Sequence, residues 1–159
     1  MSRRAAREAA LQILYKTDIA GGDIDVEREL AYWIEALAAE DAGTEGERDN
    51  EGETATEARG ILSKKNFAFA LELIRGTLSH CDELDDKINT TAREWDPERI
   101  DVLNRNLMRL SLYEMFFCPA IPQRVSVNEA VELAKSFCGV ESARFINGIL
   151  DQFIAQEER

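Results

Sequence analysis

Apolar residues recur at helical spacing along almost the whole chain, with few clusters of β-branched residues, and that period restricts it to an all-α fold. Ala6, Ala10, Ile13, Leu14 and Thr17 form one stripe of a first helix that ends before Gly21-Gly22. Val26, Leu30, Trp33, Ile34 and Leu37 make a second stripe, and Phe67, Ala70, Leu71, Ile74 and Leu78 a third. A short helix over 82–91 follows. Asp96-Pro97 then reads as N-cap and first helical residue of a long helix carrying Ile100, Leu103, Leu107, Leu110 and Phe117. Pro119 and Pro122 stop that helix and shape a short loop. Ser126 with Glu129 reads as a capping box for a helix that turns Val127, Ala130, Val131, Ala134 and Phe137 inward, and Gly139 closes it in a left-handed cap. The last helix presents Phe145, Ile146, Ile149, Leu150 and Phe153. Its Gly148 is expected at a close helix–helix contact, since a mid-helix glycine costs about 1 kcal/mol relative to alanine. The expectation is about seven helices.

Residues 40–59, EDAGTEGERDNEGETATEAR, break the pattern. Eight acids, two arginines and three glycines, with no aromatic or large aliphatic side chain, cannot repay their ordering entropy. This segment is predicted to be a disordered acidic loop insertion in a single domain spanning 1–159, and a solvated insertion is its plainest role. With 159 residues, 45% of them hydrophobic, the chain buries a core without staples. Three cysteines, an odd count with no CxxC, suit a reducing compartment. No apolar run approaches the roughly 18–20 residues that span a bilayer. The basic N-terminus leads into an amphipathic stretch rather than a signal peptide, so the expected location is cytoplasmic, with no membrane partner.

Charge is unevenly distributed on a chain of formal net charge -12. Arg3, Arg4, Arg7 and Lys16 face only Glu8 in the first 16 residues, whereas 17–59 hold 14 acids against 3 bases. An acidic body repels nucleic acid over most of its surface, so a cationic tip defines where a polyanion lands.

Three blocks then carry a resemblance: RRAAREAALQILY (3–15), NRNLMRLSLYEM (104–115) and VSVNEAVELAKSFCGVESARFINGILD (125–151). Their order and spacing resemble the NusB family of bacterial transcription antitermination factors, over most of the chain except the acidic insertion. The resemblance implies two small helical bundles packed together. It also implies a non-enzymatic adaptor that binds single-stranded boxA RNA jointly with the ribosomal protein NusE. Other Nus factors and RNA polymerase are then indirect partners, notably on ribosomal RNA operons.

On the first helix the three arginines border the buried stripe without entering it. Guanidinium groups fork onto phosphates and stack on bases, and Tyr15 offers a ring to an unstacked base or sits half-buried at the core edge. The resemblance carries RNA contact onto a second zone, Lys135, Ser142, Arg144 and Phe145, where a helix N-terminus offers unpaired N–H groups. Phe145 also has the core period. In the family this turn carries an alanine-and-acid run, where this chain has Cys138-Gly139-Val140-Glu141. The resemblance places NusE contact on and before the long central helix, suggesting Glu98, Arg105, Arg109 and Tyr113. Arg105 and Arg109, at i and i+4, are expected to share one exposed face.

Enzyme chemistry finds no support. His80 is the single histidine and reads as structural or solvated, no glycine loop cradles a nucleotide, and no cofactor or metal is expected. The alternative to an RNA adaptor is a helical protein–protein scaffold without direct RNA binding. Some family members resemble a homodimer that hides the arginine face, and the sequence neither supports nor excludes that state.

Overall fold

The computed structural model describes residues 2–21, 23–43, 64–92 and 100–157. Among them are seven helices and no strand: α1 (Ser2–Ala20), α2 (Val26–Gly43), α3 (Lys64–Ser79), α4 (Cys81–Thr91), α5 (Val102–Phe117), α6 (Gln123–Phe137) and α7 (Val140–Glu157). The chain divides into two compact units, Met1–Arg75 and Gly76–Arg159, with the boundary inside α3.

In the first unit α1 supplies the core. Ala6, Ala9, Ala10, Leu11, Ile13 and Leu14 are buried, and Leu30 of α2 joins them. Small residues on α1 leave room for the large side chains of its neighbours. Polar clasps set the two helices side by side: Trp33 Nε1 donates to Gln12 Oε1 at 3.1 Å, and Lys16 Nζ meets Glu29 Oε2 at 2.6 Å. Gly21 ends α1 with φ 64°, its N–H returning to Thr17 O, as the glycine pair implied. α2 runs through Gly43, four residues into the acidic segment; the remainder of that segment lies outside the described residues.

In the second unit α5 is the central helix, lying against α4, α6 and α7. It is buried on nearly all sides, from Asn104 through Met115, as a helix enclosed by neighbours must be. Its N-cap is Asp101, whose carboxylate accepts from Asn104 N–H at 2.8 Å, so α5 opens later than the Asp96-Pro97 reading, which falls outside the described residues. α6 likewise begins ahead of its expected cap. Pro122 occupies the N-cap, its fixed φ of -59° suiting that entry, and Ser126 is therefore a buried interior residue. Gly139, at φ 101°, follows α6 as expected, with its N–H on Ala134 O.

One stripe and one glycine contact differ from their expected places. α3 buries Ala70, Leu73, Ile74 and Thr77, leaving Leu78 exposed. The close glycine contact belongs to Gly76: a Cβ there would fall on the Tyr113 ring, whereas one at Gly148 would meet nothing within 4 Å. Tyr113 in turn stacks on Phe117 at 5.2 Å, and Phe117 on His80 at 4.1 Å, which makes His80 a structural residue.

Candidate nucleic-acid interface

The cationic end of α1 is assembled on an aromatic ring. Arg3 Cζ lies 4.9 Å from the centroid of the Phe69 ring of α3, and Arg7 Cζ lies 5.5 Å from the same ring. A guanidinium over an aromatic face gains from the ring quadrupole and loses little hydration. Arg3 is exposed and Arg4 half-buried, but Arg7 is only 5% exposed. Arg7 thus enters the buried side of α1 instead of bordering it, because Phe69 packs where the helical wheel alone showed solvent. Beyond it, Glu8 is half-buried; burial pushes its carboxyl above the ordinary carboxylate range, and the Arg4 guanidinium pulls it part of the way back. Tyr15, two turns on from Arg7, is 41% exposed.

The second expected zone lies in the other unit, around the turn between α6 and α7. Lys135 is exposed in the last turn of α6, with Nζ 3.4 Å from Glu132 Oε1. Positive charge there complements the helix dipole. Ser142 is half-buried in the first turn of α7, and its Oγ accepts from Asn104 Nδ2 at 3.2 Å. Arg144 and Phe145 line a groove of about 430 Å³ with Glu141, Gly148, Ile149 and Gln152. Gly148 therefore opens this groove rather than admitting another helix.

Sequence reasoning missed Phe137. It was expected inward but is 41% exposed at the end of α6, near Val140, which is also exposed. Its position in the final turn, just ahead of the Gly139 cap, was the available signal. Cys138 beside it has its thiol pushed up to about 11, by burial first and by the Asp101 carboxylate second, so it stays protonated.

The expected protein-partner face looks inward. Arg109 forks onto Asp85 of α4, with Nε to Oδ1 at 2.6 Å and Nη2 to Oδ2 at 2.7 Å, and also donates to Asn106 Oδ1. Arg105 Nη1 lies 3.6 Å from the same Asp85 and donates to Asn89 Oδ1 at 3.2 Å. The i, i+4 pair does share a face, yet that face is turned onto α4, leaving side-chain exposures of 19% for Arg105 and 11% for Arg109. Tyr113 is buried in the aromatic stack over Gly76, a core role. Glu98 lies outside the described residues. No group of three or more His, Cys, Asp or Glu among the described residues is arranged to hold a metal ion.

Comparison with known proteins supplies the family. A model described as the NusB family matches residues 4–155. A transcription antitermination protein NusB from Pelotomaculum thermopropionicum is 41% identical over 158 residues, covering 99% of this chain and 92% of that protein. One from Desulfotalea psychrophila is 40% identical over 149 residues, covering 94% and 92%. Among solved structures, T. maritima NusB matches with TM-score 0.66 and 28% identity over 94% of this chain and 88% of that one. The fold is also that of a structure of antitermination factors NusB and NusE in complex with dsRNA, at TM-score 0.69 and 20% identity over 95% and 94%. With the family model spanning nearly the whole chain, the chain belongs to the NusB family of transcription antitermination factors.

Proposed function

We propose that this antitermination adaptor, which as a NusB-family member is not an enzyme, binds a single-stranded boxA-type RNA jointly with NusE, notably on ribosomal RNA operons. Arg3 and Arg4 with Tyr15 form one contact zone, with Arg7 buried behind them against Phe69, and Lys135, Ser142, Arg144 and Phe145 form a second. The observation that carries the reading is the exposed Arg3 guanidinium, braced on Phe69, on the same helix as the exposed Tyr15 ring. Cations hold the backbone, while an accessible aromatic face takes an unpaired base, which a duplex does not offer. The solved NusB–NusE relative carries dsRNA, so strandedness is the first thing to measure.

Filter binding compares single- and double-stranded boxA-type RNA, with and without NusE. The single strand is expected to bind better, and NusE to raise its affinity. Arg3, Arg4, Lys135 and Arg144 engage about four phosphates, so log affinity against log salt should fall with a slope near −3. The variant Arg3→Glu/Arg4→Glu should abolish retention; Arg7 is left intact because it is buried. Unchanged RNA retention with loss of NusE binding would instead support a protein scaffold.

A further inference from the structure

The first turn of α7 is backed by a buried amide. Asn104 of α5, only 4% exposed, donates from Nδ2 to Ser142 Oγ. Its backbone N–H is held by the Asp101 carboxylate, which anchors the residue at the start of α5. The carbonyl oxygen of the same amide is buried with no hydrogen-bond partner among the described residues. Removing an amide oxygen from water without a partner carries a penalty that an apolar side chain of similar size avoids. Packing therefore gives no account of asparagine here, whereas directing a hydrogen bond does.

A serine hydroxyl is one donor and two acceptors. Because Ser142 Oγ accepts from the Asn104 amide, its own proton is turned away from that amide. Ser142 stands in the first turn of a helix, where backbone N–H groups lack intrahelical acceptors. The turn thus presents an O–H donor beside N–H donors, next to the groove that Arg144 and Phe145 line. Glu141, exposed in the same turn, disfavours anions in general, so a ligand there must be matched to directed donors. We propose that Asn104 is a positioning residue for RNA recognition, orienting the Ser142 hydroxyl proton toward an acceptor oxygen of the RNA backbone. This inference rests on the RNA-binding reading above.

The test is a double-mutant cycle on a short fluorescent single-stranded boxA-type RNA with NusE present. Ser142→Ala is expected to weaken binding about fivefold, the scale of one hydrogen bond, and Asn104→Ala about threefold. The double variant should lose no more than Ser142→Ala alone. Asn104→Asp, of nearly equal volume, accepts the Ser142 proton and reverses its direction. Affinity should then fall at least as far as in Ser142→Ala, while the same aspartate in the Ser142→Ala background costs much less. That contrast separates proton direction from added charge, and it holds should Asn104→Ala fail to fold. Repeating the cycle with a deoxy strand assigns the acceptor: coupling that survives marks a phosphate oxygen, and coupling that vanishes marks the ribose hydroxyl. Additive losses, or wild-type affinity in Asn104→Asp, would overturn the inference. If binding is lost in Arg3→Glu/Arg4→Glu yet indifferent to 104 and 142, the RNA-binding reading stands without it; indifference to all of them overturns both.

Discussion

Replacing Gly76 by alanine pits helix propensity against packing in one substitution. The residue lies inside α3, where alanine is favoured over glycine by about 1 kcal/mol. Its new Cβ, however, would fall on Cζ, Cε2 and Oη of Tyr113, an aromatic ring that is itself buried and stacked on Phe117. The ring must move as a rigid body, since no flexible chain end is there to yield. Forcing a methyl into a filled site costs about 1–3 kcal/mol, and disturbing the Tyr113–Phe117 pair a further ~0.5–1.5 kcal/mol. Set against the helical gain, the expected net loss is about 0.5–3.5 kcal/mol. For a chain of this size that lowers Tm by roughly 1–14 °C. Urea denaturation should show a lower midpoint with unchanged slope. In a Tyr113→Ala background the loss should vanish and the helical gain emerge. A Gly76→Ala variant as stable as wild type, or an equal loss in both backgrounds, would refute the packing argument. Gly148→Ala is the internal control: with nothing near its Cβ, it should stabilise α7 by up to about 1 kcal/mol.

Asp85→Ala strips the carboxylate that Arg105 and Arg109 share. An expected loss of about 1–2 kcal/mol, discounted for partial exposure, is readable in the same urea assay. Glu8 has a folded-state pKa above its unfolded one, so the native state holds the proton more tightly and stability falls as pH rises between the two values. Glu8→Gln should therefore be neutral at acid pH below the ordinary carboxylate range and stabilising at neutral pH, as thermal melts at both will show. Cys138, with its thiol at about 11, should alkylate with iodoacetamide far more slowly at pH 8 than a free thiol, by mass spectrometry of the native chain.

What was legible in the sequence was whatever depends on neighbours along the chain. The helical count, the Gly21 and Gly139 terminations and the proline loop before α6 all follow from local backbone preferences. The inward stripe of Ile146, Ile149, Leu150 and Phe153 on α7 follows from period alone. The misses share a cause of the opposite kind. Gly148 and Gly76 are both mid-helix glycines, and only the position of Tyr113, far along the chain, tells them apart. Arg109 looks solvent-bound until α4 brings Asp85 beneath it, and Arg7 until α3 brings Phe69. Ser126-Glu129 has the letters of a capping box, but Pro122 had already started the helix. At the candidate interface, residue types were readable while their accessibility was not.

The Phe69 ring beneath Arg3 bears on how long an RNA held at that proposed contact would stay. A long side chain resting on a flat surface explores fewer rotamers than one waving in solvent, so less freedom remains to be lost when an anion arrives. On the RNA contact proposed above, trimming that ring to leucine would leave every charge in place yet shorten the life of the complex.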